Sequence, residues 1–197
     1  MMAGKTAAAR LAFDRLVKVD PLGFMTYWLR GAIPFFEGNF PEASAEWRQI
    51  LRLAPDNPLA RAWTAPAVAY AGDLEGALDL LADPELPKGE DVGSRLCRIQ
   101  SCALQGDREG ALQEITPEYR QTVSRDGGWA WLTAAPLAFV GAVDESVEWL
   151  ENAVRRGGFI NYPMLAEHDP FLAKLRGTDR YETLLEEVQK RWETFEV

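Results

Sequence analysis

The chain has 197 residues, 47% of them apolar and 26% charged, the balance of a globular protein rather than a disordered one. Its net charge of −9 repels phosphate backbones and anionic lipid surfaces, so neither a nucleic acid nor a membrane is an expected partner. No apolar run approaches the roughly 20 residues that cross a bilayer.

The chain starts "MMAGKTAAARLAFDRLVKVDP", which has no continuous apolar core of signal type, so a cytoplasmic chain is expected. A helix should end on "LVKVD", where Pro21 can stop it. The next helix carries Met25, Trp28, Phe35 and Phe36. In 41–54, Ala43, Trp47, Ile50, Leu51 and Ala54 form one stripe, while Glu42, Glu46, Arg48 and Gln49 face away, as an amphipathic helix requires. Trp63 and Tyr70 fall on the helix after Pro55, and "GDLEGALDLL" opens another. "DPELPKGEDVGS" is a long connection. Leu96 and Arg98 follow on a helix, then "GDREGALQEI" on its partner. "TPEYRQTVSRDGG" reads as a short helix capped by Thr116, with Pro117 in its first turn. Trp131 and Phe139 mark one more helix, and "GAVDESVEWL" its partner.

A period underlies this order. Gly38, Gly72, Gly106 and Gly141 are 34, 34 and 35 residues apart. Five residues after each stands a small residue, Ala43, Ala77, Ala111 or Ser146, and four further on a large apolar one, Trp47, Leu81, Ile115 or Leu150. The glycine ends a helix in a left-handed conformation that a Cβ would disfavour. The small residue lets two helices approach, and the large one lies on the same face a turn later. Gly4, Ala9, Phe13 and Pro21 stand 34 residues before Gly38, Ala43, Trp47 and Pro55. The chain therefore opens at the second helix of a repeat, and an upstream extension of the parent chain is expected.

With Gly31, Gly38, Phe40, Ala43, Trp47 and Pro55 in phase, residues 24–57 resemble the tetratricopeptide repeat, a 34-residue helix–turn–helix unit. The resemblance covers about residues 1–158 and implies an all-α, right-handed αα superhelix: a half repeat, four repeats and then a helical cap in 159–197. Pro34, Pro66 and Pro136 depart from the pattern inside first helices. An interior proline costs roughly 3 kcal/mol, so bent or interrupted helices are expected there. Chaperone-binding members of the family clamp a C-terminal carboxylate with basic and amide residues. Trp28 and Ala32 stand at the first of those positions, which argues against such a clamp here.

From residue 159 the period is lost. Asp169 before Pro170 reads as a helix cap, Gly177 as a stop and Thr178 or Asp179 as the cap of a last helix. That helix carries the stripe Tyr181, Leu184, Leu185, Val188, Trp192 and Phe195, suited to covering the apolar end of a repeat array. "DPFLAKLRG", "RYETLLEEV" and the terminal "RW" resemble the C-terminal ends of bacterial regulators that carry a kinase, adenylate cyclase or DNA-binding effector before a repeat array. The resemblance implies a regulatory module of a longer signalling chain.

Chemistry is sparse. Nucleotide-binding loops, kinase signatures and nucleophile elbows are absent from the sequence, so no catalytic or cofactor-binding residue is assigned. The single histidine, His168, and two cysteines five apart, Cys97 and Cys102, do not make a metal site, and the thiols read as free. Glu90–Asp91 and Glu186–Glu187 are adjacent and belong to solvated faces. The remaining candidate is a groove lined by the first helices, with Trp28, Phe35, Trp63, Tyr70, Arg98 and Trp131 facing a protein or peptide partner. The same rings could instead be core between helices. Two functions are compatible with this reading: a non-catalytic protein-interaction module, or a sensor that binds a small molecule or short signal peptide and controls an effector. The register itself is testable, since Ala43→Leu should overpack a helix pair and cost about 1–3 kcal/mol. A melting curve that this substitution leaves unchanged would remove the register.

Overall fold

A computed structural model describes residues 2–82 and 89–196, and among these the chain is all-helical, with no strand. Helix α1 spans Thr6–Val19, α2 Phe24–Phe36, α3 Phe40–Leu53, α4 Pro58–Tyr70 and α5 Leu74–Leu81. They are followed by α6 (Val92–Leu104), α7 (Arg108–Gln113), α8 (Pro117–Val123), α9 (Gly127–Phe139) and α10 (Val143–Arg155). A π-helical turn, Met164–His168, and a 3-10 turn, Pro170–Lys174, lead to α11 (Asp179–Thr194). The expected connection "DPELPKGEDVGS" lies partly outside the described residues.

The periodic glycines set the hairpins. Gly38, Gly72, Gly106 and Gly141 have φ of +80°, +95°, +78° and +83°, the left-handed region that glycine occupies without strain. The amide after each glycine closes the preceding helix, as in Asn39 N–H to Pro34 O at 2.9 Å and Asp107 N–H to Cys102 O at 2.8 Å. That same residue caps the next helix. The Asp73 and Asp107 carboxylates accept from the amides of Gly76 and Gly110, both at 2.8 Å. One Gly–Asx pair thus stops one helix and starts another. Ala142 takes this position before α10, and no side chain caps that helix.

Helices α2 and α3, α4 and α5, α6 and α7, and α9 and α10 pack as pairs, and each second helix also lies against the first helix of the next pair. The short α8, capped by Thr116 as expected, is inserted before the last pair. Ala43, Ala77, Ala111 and Ser146 are all fully buried at the pair contacts. Gly31 completes the first contact, because a Cβ there would collide with the Trp47 indole. Trp47 is held by its N–H to Trp28 O at 2.9 Å.

The three interior prolines do not interrupt their helices; α2, α4 and α9 run through Pro34, Pro66 and Pro136. Proline deprives the carbonyl four residues earlier of its helical donor. For Pro66 that carbonyl is Ala62 O, and the Gln100 side-chain amide from α6 replaces the missing donor at 2.9 Å. A neighbouring helix thereby satisfies a group that the sequence of α4 leaves open.

One hydrophobic core includes residues from both sides of position 158. Phe159, Met164, Leu165, Leu172 and Tyr181 from the tail are fully buried in it. Helix α11 packs against α10 through buried Tyr181, Leu184 and Val188, while Leu185 and Trp192 are half-buried and Phe195 is exposed. Arg180 bonds Glu151 across this contact, at 2.7 and 3.0 Å. Gly31→Ala should lower stability by about 1–3 kcal/mol through overpacking. Denaturant titration of the variant tests this, and an unchanged midpoint would mean that Gly31 does not set the α2–α3 distance.

Candidate functional site

The six expected groove residues separate into core and surface. Phe35 and Trp131 are fully buried and Trp63 is 8% exposed. Phe35 packs on Phe40, Trp47 and Trp131, with ring centroids 5.1 to 5.9 Å apart. Trp131 stacks on Phe159 of the tail at 5.3 Å and 6° between planes. Tyr70 is half-buried and meets Phe171 of the tail edge-on at 4.6 Å. Arg98 points elsewhere and is engaged by Glu114 at 2.9 Å and Gly89 O at 2.9 Å. Of the six, Trp28 is a half-buried ring at the surface, perpendicular to Trp63 at 5.6 Å. The inner face of α2, α4 and α9 is therefore not an open groove at Phe35, Tyr70 and Trp131. Phe35 is enclosed by rings of the neighbouring helices, and the tail covers Trp131 and Tyr70 with Phe159 and Phe171, which removes apolar surface from water.

Asp169 is the polar centre of this joint. It caps the turn beginning at Pro170 by accepting from Phe171 N–H at 2.9 Å, as its position before proline predicts. It is also fully buried and accepts from Trp131 Nε1 at 3.1 Å. The buried Tyr70 hydroxyl faces the same carboxylate but forms no hydrogen bond of good geometry. Burial pushes the Asp169 carboxyl up to about 6, against the nearby Tyr70 hydroxyl and the hydrogen bonds from Phe171 and Trp131, which hold it down. Burial, and then the charge of Asp169, push the Tyr70 phenol well above its usual value. His168 is half-buried and lies against Gly38, where a Cβ would touch its imidazole.

A second place is open. A cavity of about 260 Å³ lies at the N-terminal ends of α2, α4 and α9. Trp28, Trp63 and Trp129 form its walls with Phe24, Met25 and Leu59, and Met2 and Asp126 complete it. Phe24 and Met25 are 50% and 51% exposed. Asp126 caps α9 by accepting from Trp129 N–H at 2.9 Å, and is exposed. Met2 is fixed through its carbonyl, which accepts from Ile160 N–H at 2.9 Å. Trp129 carried a sequence signal: two residues from Trp131 on one helix, it must face away from the core that Trp131 enters.

Among the described residues no cluster of three or more His, Cys, Asp or Glu could hold a metal, and no helix is long and apolar enough to cross a membrane. Cys97 is buried, and its thiol is pushed up to about 12 by that burial, far from the thiolate that reactive cysteines need. The fold and the cavity define a class: an all-α, repeat-like helical protein with an apolar surface pocket. No family model matches the chain, and no curated protein matches it in sequence.

Asp169 yields a prediction with a definite sign. A carboxyl raised from 3.8 to about 6 in the folded chain contributes stability that is fully present below its unfolded pKa and is lost as pH rises through about 6. The full difference is on the order of 3 kcal/mol. Asp169→Asn keeps an acceptor for Trp131 and Phe171 without the buried charge. The native chain should gain stability relative to this variant as pH falls from 7 to 5 in parallel denaturant titrations. A stability difference independent of pH would show that the carboxyl does not titrate in this range.

Proposed function

We propose that the chain is a non-catalytic tetratricopeptide-repeat interaction module, a right-handed superhelical array of a cytoplasmic bacterial signalling or regulatory protein. It binds a protein or peptide partner at the pocket bordered by Trp28, Trp63 and Trp129. The four in-phase left-handed glycines and the buried small residues after them support the repeat assignment. The observation that carries the binding role is the exposure of Phe24 and Met25 beside an apolar cavity, in a chain whose other large rings are mostly buried. An apolar side chain inserted there desolvates several rings at once, the arrangement from which binding hot spots are made. The neighbouring Leu22, 78% exposed, extends the apolar rim.

A second reading, a sensor for a small molecule, is favoured by size. The cavity of about 260 Å³ lies just below the roughly 300–1,000 Å³ of pockets for drug-sized ligands, and suits a single head group or side chain.

The interaction reading is tested by cross-linked pull-downs with the native chain, a Phe24→Ser/Met25→Ser double variant and a Leu74→Ser control. Leu74 is an exposed apolar residue on α5, outside the pocket. Partners should be lost from the double variant at an unchanged melting temperature and kept by the control. The same partners on all three chains would exclude the pocket as the docking point.

A further inference from the structure

We propose that this pocket binds an alkylated ammonium group, the trimethylammonium head of a small ligand or of a methylated lysine side chain. The inference rests on the pocket being a binding surface, as proposed above, and adds the chemistry of what enters it. Three indoles line one small volume, and the planes of two of them, Trp28 and Trp63, stand at 82° to each other. They stand as two walls rather than one flat stack, and Trp129 and Phe24 add further aromatic lining to the open cavity. Aromatic faces carry negative potential and attract cations. Among the described residues the cation–aromatic contacts fall on Tyr27, Phe139, Trp149 and Trp192, and none falls on the pocket indoles.

The charge at the rim has the matching sign. Among the described residues that line the cavity, Asp126 is the one with a charged side chain. The helix N-termini that meet here act in the opposite direction, since each carries about half a positive charge. Asn57 caps α4 through the amides of Leu59 and Ala60, and Asp126 caps α9. At the uncapped α2, the Asp20 carboxylate stands beside Gly23, where it would meet a Cβ. Two carboxylates, Asp126 in the lining and Asp20 beside the start of α2, thus offset the three helix ends.

The alkyl groups follow from the walls. A bare ammonium is compact, strongly hydrated and in need of acceptors. Apart from the Asp126 carboxylate, this cavity offers mainly thioethers, Leu59 and rings. Methyl groups on the nitrogen lower its hydration, fill the apolar volume and keep the positive charge that the indoles and Asp126 attract.

Calorimetric titration of the full chain with choline chloride and with its uncharged carbon isostere, 3,3-dimethyl-1-butanol, at matched ionic strength tests the inference. Choline should bind about tenfold more tightly than the isostere. Asp126→Asn keeps a favoured helix cap and removes the charge, so choline should weaken severalfold while the isostere does not. Trp129→Leu should weaken choline by about tenfold at an unchanged melting temperature. A blocked trimethyl-lysine amide, titrated alongside choline, distinguishes the two sources by which binds more tightly. Isostere binding within twofold of choline overturns the ammonium assignment and leaves the pocket as an apolar docking point. Absence of choline binding to the native chain, or an affinity that neither substitution changes, also overturns it. The cross-linking experiment then decides the interaction reading separately.

Discussion

The contact between Trp131 and the tail organises the molecule. One indole stacks flat on Phe159 and donates its N–H to the buried Asp169 carboxylate. The first is an apolar contact without direction, and the second is a directional bond in a site with little water. Together they fix both where the tail lies and how it is rotated. The tail then reaches further: Phe171 meets Tyr70 and Phe139, Ile160 binds the Met2 carbonyl, and His168 rests on the turn at Gly38. The first and last parts of the chain are thus held to each other as well as to their sequence neighbours.

That closure explains where aromatic rings remain at the surface. An array of helical hairpins presents the inner face of its first helices, and here the tail covers that face along α4 and α9. Coverage stops short of the N-terminal ends of α2, α4 and α9. The rings left there, Trp28, Trp129 and Phe24, gain no partner from the tail and border the cavity. The division between structural and available aromatics is therefore a matter of position along a helix. On α9, Trp131 enters the core and Trp129, two residues earlier, reaches the pocket.

The hairpins were legible in the sequence because their determinants are local. A left-handed glycine, a small residue five positions on and a large one four further are each fixed by contacts within one helix pair. The proline helices show the limit. Local rules predict a bend or an interruption at Pro66, but α4 is continuous there, and the carbonyl that the proline leaves open is satisfied by Gln100, 38 residues away. The groove reading met the same limit. Phe35, Tyr70 and Trp131 have the spacing of groove residues, and for Tyr70 and Trp131 it is the return of the tail, which has no period, that makes them core. Asp169 was legible as a cap and illegible as a buried partner of Trp131.

Asp126 and Asp169 show how much of a residue's chemistry lies outside its sequence context. Both accept from a backbone amide in the first turn of the segment they open, at the same 2.9 Å. Asp126 is exposed, and its charge is free to act on whatever enters the cavity. Asp169 is enclosed by Trp131, Phe171 and Tyr70, so the same carboxyl is driven towards its neutral form. The local rule assigns one role to both, and the packed environment then leaves one exposed at the cavity and buries the other in the joint with the tail. The indoles obey the same distinction, since Trp129 beside Asp126 and Trp131 beside Asp169 differ by the side of one helix they occupy. A single turn of α9 thus joins the pocket to the core, and the two carboxylates mark its two faces.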